Sequence, residues 1–276
     1  MRKPLDSIVE LIRATSTSLA SDVTCALKKA LGLEKTNPSA KVVLKTILDN
    51  VKLAEKNSTP LCQDTGTLTF FVNSALKKKA SPETICEAVR IATKNGWLRK
   101  NAIDSIDGKS YDDNCANGLP VIHYLDDVKG VTLLMKGGGS ENMSRQYSLP
   151  DGTLGAGRDL DGARKCILDA IDKTQGYGCA PGIIGVCIGG DRATGYETAK
   201  MQLLRNLNDS SPDKRIAALE KRILKESNSL GIGPMGLGGK TTLLGVKIAS
   251  CARLPASFFV TIAYMCWALR RRTIEL

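Results

Sequence analysis

The sequence predicts an α+β fold in which mixed sheets pack with several helices. Some segments repeat apolar residues at helical spacing, and others are short β-branched or aromatic runs bounded by polar or glycine turns. The two kinds follow one another without the strict strand–helix–strand rhythm of a parallel sheet. Residues 5–56 read as helices, with Val42, Val43, Ile47, Leu48 and Val51 on one helical stripe. Leu68–Val72 reads as a strand. Ser81-Pro82-Glu83 opens a helix running to about Lys94, with serine as N-cap and proline in the first turn. Asp104 to Gly118 is polar and turn-rich, followed by strands at Val121–Leu125 and Val131–Met135. The second strand runs into a glycine loop, Lys136 to Asn142. A helix is predicted over Gly162–Thr174, then an apolar run, Ile183–Ile188, and helices over 193–206 and 212–227. A glycine-rich loop (231–239), a short strand (243–248) and an apolar stretch, Phe258 to Tyr264, complete the pattern.

A chain of 276 residues can bury a sizeable core. Its 42% hydrophobic content is ordinary for a globular protein. No run approaches the roughly 18 apolar residues of a membrane span, and the N-terminus lacks the apolar stretch of a signal peptide. The expected location is the cytosol. A net charge of +11 suits either a nucleic-acid surface or a solvated basic face with a few cations for a small anion. Aromatics make up only 4% and offer little for base stacking, so no nucleic-acid partner is expected.

Nine cysteines without a C-x2-C pair, beside the single His123, exclude a zinc finger and a His-rich site. Cys25, Cys86 and Cys166 fall in amphipathic helical patterns, and Cys187 falls mid-strand, so all four read as small buried hydrophobes. Cys251 falls in a polar turn beside Arg253. Cys62, Cys179 and Cys266 stand at junctions between apolar runs and turns. Such isolated thiols suggest one metal centre assembled only by the fold. Cys115 reads as an exposed thiol and rivals them as a ligand. Closely spaced ferredoxin-type cysteines are absent.

Gly231 to Thr242 nearly matches a P-loop, but Pro234 occupies a required glycine position. A helix precedes the loop and a strand follows, the reverse of a P-loop, so nucleotide binding is not expected. Clustered glycines here and at 137–139 suit either tight turns or an approach to a ligand.

The segments Cys-Gln-Asp-Thr-Gly-Thr (62–67), Lys-Gly-Gly-Gly-Ser-Glu-Asn-Met-Ser (136–144), Gly-Cys-Ala-Pro-Gly-Ile-Ile-Gly-Val (178–186), Gly-Ile-Gly-Pro-Met-Gly-Leu-Gly-Gly-Lys-Thr-Thr (231–242) and Cys-Trp-Ala (266–268) together resemble one family. They look like the α subunit of the two-subunit iron–sulfur hydro-lyases, the class I fumarases and L-tartrate dehydratases. The resemblance covers residues 40–272 and implies one cluster-binding catalytic domain over 1–276, with a helical N-terminal part over about 1–56. It implies that Cys62, Cys179 and Cys266 ligate a 4Fe–4S cluster with one open iron. It implies reversible hydration of fumarate to L-malate or, alternatively, dehydration of tartrate to oxaloacetate. It also implies a β subunit that supplies further substrate contacts, in a heterotetramer.

By the same resemblance Asp64 is the candidate base and Gln63 a substrate contact. Arg99 would hold a substrate carboxylate, and Gly138 and Ser140 would offer backbone N–H groups to the other. Asp64 also suits an Asx-turn before Gly66, and Arg99 a solvated helix end. The family has His-Pro-Ala-Ser where this chain has Leu254-Pro255-Ala256-Ser257. That histidine lies near the catalytic aspartate in the family, so Leu254 leaves open a cluster-holding subunit of low activity.

Overall fold

The computed structural model describes residues 3–276. In chain order the elements begin with three helices, α1 (Pro4–Thr17), α2 (Ser21–Leu33) and α3 (Pro38–Asn57). Strand β1 (Thr67–Asn73) and helix α4 (Pro82–Lys94) follow, then the short strands β2 (Ala102–Ile103) and β3 (Ser110–Tyr111). Next come β4 (Val121–Leu125), β5 (Val131–Lys136), α5 (Gly138–Asn142), β6 (Arg145–Ser148) and α6 (Leu160–Thr174). The last third holds β7 (Gly182–Gly189), α7 (Arg192–Gln202), α8 (Lys214–Ser229), β8 (Leu243–Cys251), β9 (Phe259–Met265) and β10 (Arg270–Ile274). The fold is α+β, as the sequence predicts.

The chain divides into two compact units, each made of separate stretches. The first comprises the chain up to Ala20, Asp49–Gly138 and Ala268–Leu276. Its mixed sheet runs β10-β5-β1-β4, with β1 parallel to β4 and antiparallel to β5. Alternation along β1 sends Leu68, Phe70 and Val72 into a core with Ile8, Leu11 and Ile12 of α1 and Ile85, Ala88, Val89 and Ala92 of α4. Phe71, on the opposite face, stacks on His123 with ring centroids 5.3 Å apart. The Ser81 hydroxyl accepts a hydrogen bond from the Thr84 amide, capping α4 as its sequence signals.

The second unit comprises Ser21–Leu48 and Gly139–Trp267, with sheet order β6-β9-β7-β8. Ile184, Val186 and Ile188 of β7 meet Val260 and Ile262 of β9, with Ile167 and Ile171 of α6 and Ile216 and Ile223 of α8 above them. Each apolar face is thereby buried against a helix layer.

Several expectations change. The glycine stretch after β5 is not an open loop, because Gly138–Asn142 coils into the short helix α5. Arg270–Arg272, a tight run of arginines in the sequence, lies in β10 paired to β5. Cys25 is exposed rather than buried, since α2 turns it outward. Cys251 closes strand β8 instead of sitting in a turn, with its sulfur 3.6 Å from that of Cys187. Cys115 is half-buried, not exposed, and its thiol donates to the Cys86 carbonyl. Burial, then the charges of Cys86 and Asp113, push its pKa up to about 12, so it is a poor thiolate donor. The 231–239 loop sits between α8 and β8, the polarity that argued against a P-loop. Among the described residues no helix is long and apolar enough to cross a membrane.

Candidate active site

In the first unit the ends of β1, β5 and β10 converge on Asp64. Thr67 pairs with Lys136 and Arg270 with Met135, so the turns before β1 and after β5 lie side by side. Gly66 adopts φ 73°, and a Cβ there would come 2.3 Å from the Lys136 carbonyl oxygen. Only glycine permits both the left-handed backbone and that approach. The Asp64 carboxylate then lies against Gly137, where a Cβ would meet Oδ2 at 2.6 Å.

Asp64 is held at both ends. Its Oδ1 accepts a hydrogen bond from Asn101 Nδ2 at 3.2 Å, and its main-chain carbonyl accepts from Arg270 Nη2 at 2.8 Å. The Asx-turn reading fits less well, because no contact of its carboxylate to a following backbone amide is found among the described hydrogen bonds. Thr65 ties the segment to Arg99: its hydroxyl accepts from the Arg99 amide and donates to the Arg99 carbonyl. The Arg99 side chain is exposed, as is Gln63. Buried Asn114 organises the same region. Its Oδ1 accepts from the amides of Asn101 and Ala102, while Nδ2 donates to Thr93 Oγ1 and the Arg99 carbonyl. A cavity of about 210 Å³ is lined by Gly66, Thr67, Asn101, Asn114, Pro120 and Gly138 among others, and Asn101 is the residue that bonds the Asp64 carboxylate.

In the second unit the sites of Cys179 and Cys266 are brought together. Cys179 is exposed and left-handed, with φ 49°, at the end of a 3₁₀ turn over Gln175–Gly178. Its carbonyl accepts from the Trp267 amide at 3.4 Å, which draws the segment after β9 alongside. Half-buried Cys266 has its amide bonded to the Ser140 hydroxyl at 3.2 Å. Burial raises the pKa of Tyr264, and the charges of Cys266 and Cys179 raise it further. Gly178 and Gly182 flank Cys179 because a Cβ would come 2.4 Å from the Tyr264 ring at Gly178 and 2.3 Å from the Tyr264 hydroxyl oxygen at Gly182. The glycine loop supports the same turn, with the Met235 amide bonded to the Ala180 carbonyl at 2.9 Å.

Cys62, half-buried, stands in the first unit with Asp64. Among the described residues no group of three or more His, Cys, Asp or Glu side chains is gathered as a metal site. The donor chemistry still fits an iron–sulfur centre. Thiolates are its usual protein ligands, and Cys179 is exposed while Gly178 and Gly182 pack closely on Tyr264. Sequence reasoning missed Asn101, Asn114 and Arg270. Asn114 carries a faint signal, lying in the turn-rich stretch from Asp104 to Gly118, and Asn101 falls just before it, whereas Arg270 was masked by the neighbouring arginines.

Comparison with known proteins agrees with these motifs. The family model for fumarate hydratase (Fumerase) matches residues 5–275. A Geobacillus stearothermophilus protein provisionally named fumarate hydratase class I is 47% identical over 100% of this chain, which spans 55% of that relative's length. A Methanocaldococcus jannaschii protein provisionally named L(+)-tartrate dehydratase subunit alpha is 37% identical over 96% of this chain and 95% of its own length. The L(+)-tartrate dehydratase subunit alpha of Escherichia coli K12 is 30% identical over 99% of this chain and 91% of its own length. This chain belongs to the Fumerase family of class I fumarate hydratases and tartrate dehydratases.

Proposed function

We propose that the chain is the cluster-binding α subunit of an iron–sulfur hydro-lyase that interconverts fumarate and L-malate. Membership of the family implies an iron–sulfur cofactor. The observation that carries the reading is Asp64, held by Asn101 and Arg270, with Asn101 also lining a cavity rimmed by Gly66 and Gly138. A carboxylate so fixed is suited to move a proton at one carbon of a small bound acid.

Cys62, Cys179 and Cys266 would hold a 4Fe–4S cluster, whose open iron acts when bound as a Lewis acid on the substrate oxygen. The chain's own residues do the rest. In the dehydration direction Asp64 takes the proton from the carbon next to one carboxylate, and the C–H electron pair forms the C=C bond. The hydroxyl of the adjacent carbon departs, leaving as water once protonated, and hydration reverses each change. Arg99 has a planar fork of donors that matches a carboxylate in two parallel hydrogen bonds. Gln63 adds a donor, and the Gly138 and Ser140 amides offer N–H groups to the other carboxylate, where charge builds as the proton leaves.

A β subunit supplying the remaining cations is part of the proposal, in keeping with two relatives named as alpha subunits. Tartrate is the second reading, favoured by those relatives, whose lengths this chain nearly spans. The test is turnover by the anaerobically reconstituted complex with fumarate, L-malate or L-tartrate, beside Asp64→Asn. The wild type should convert fumarate, and Asp64→Asn should lose about 10²–10⁴-fold in kcat. Turnover of tartrate alone favours the second reading. A cluster-replete complex inert to all three sinks both.

A further inference from the structure

Arg270 is the least comfortable side chain in the first unit. It is 2% exposed, shares a sheet face with the core residue Met135, and is the largest fully buried side chain among the described residues. Its Nη2 donates to the Asp64 carbonyl at 2.8 Å, yet Nε and Nη1 find no acceptor among the described residues. A buried guanidinium with two idle donors is destabilising, and an apolar side chain of similar volume would suit the site better for stability alone. Local rules are broken in this way where a residue serves function rather than stability.

We propose that Arg270 is a positioning residue for Asp64. Its one bond goes to the peptide that carries the candidate base, not to a core partner. Strand β10 is pinned to β5 at Met135, one residue before Lys136, and Gly137 lies under the Asp64 carboxylate. Arg270 therefore links the floor beneath Asp64 to its backbone, while Asn101 fixes the carboxylate from the other side. With the guanidinium in place the Asp64–Thr65 peptide has one orientation, and without it the carboxylate can swing off its floor.

The inference rests on the proposed role of Asp64, so its test includes a readout independent of turnover. Arg270→Met and Arg270→Lys are compared with the wild type for thermal midpoint, hydrogen exchange over residues 62–66, and kcat and KM in the cluster-loaded complex. Arg270→Met should melt at the same or a higher temperature. It should exchange over 62–66 at least about tenfold faster and lose kcat at least about tenfold, with KM changed less than about threefold. Arg270→Lys, whose ammonium can still donate to the Asp64 carbonyl, should recover part of the protection and of kcat. Unchanged exchange over 62–66, or a loss of melting temperature in step with the loss of activity, overturns the proposal. If the wild-type complex turns over nothing, the hydro-lyase reading fails, and exchange alone still decides whether Arg270 holds the Asp64 peptide.

Discussion

The Asp64 carboxylate owes its place to a missing side chain. Gly137 has no Cβ, and one would sit 2.6 Å from Oδ2. Gly137→Ala should therefore push the carboxylate aside with little effect on folding, since Gly137 does not need a left-handed backbone. A shift of about 1 Å at a reacting group can cost about 100-fold, so kcat in the reconstituted complex should fall by about that factor while the melting temperature holds. An unchanged kcat would separate Asp64 from the chemistry. Leu254 is a second residue-scale test. It is 74% exposed, so Leu254→His should leave stability unchanged within about 0.5 kcal/mol. Restoring the family's histidine should raise turnover in the cluster-replete complex, and equal or lower turnover counts against that residue's relevance here.

At the scale of elements, what the sequence made readable depended on how local the cause was. Helix α4 announced itself because Ser81 caps it and its apolar stripe repeats at helical spacing. Strands β1, β5 and β7 stood out as short apolar runs. Strand β10 did not, because Arg270–Arg272 has no strand-like pattern of its own and becomes a strand by pairing with β5. The short β2–β3 ribbon and β6 carried too few residues for a pattern. The same division holds in the site. The junction cysteines and Asp64 are marked by motif, whereas Asn101, Asn114 and Arg270 gain meaning only from contacts made far along the chain. The turn before β7 exposes this dependence on packing. Gly178→Ala would drive a methyl into the Tyr264 ring, at 2.4 Å, and should cost about 1–3 kcal/mol by overpacking. Urea unfolding measures it; a neutral result would mean the turn moves freely away from Tyr264.

Across the whole molecule the nine thiols sort by environment, which makes the cluster assignment testable. Burial holds the Cys115 thiol well above its ordinary pKa, so its reaction with a disulfide reagent should be slow at pH 8 and should quicken as pH rises. Exposed Cys25 and Cys179 should react before it at pH 8. Early labelling of Cys115 would contradict the burial that disqualifies it as a ligand. Cys62 lies in one unit, and Cys179 and Cys266 lie in the other. The most direct measurement is the visible thiolate-to-iron absorption of the chain reconstituted anaerobically with iron and sulfide. Cys62→Ser, Cys179→Ser and Cys266→Ser should each abolish or sharply reduce it, and Cys115→Ser should leave it intact. Full absorption in the three variants, or its loss in Cys115→Ser alone, would contradict the assignment.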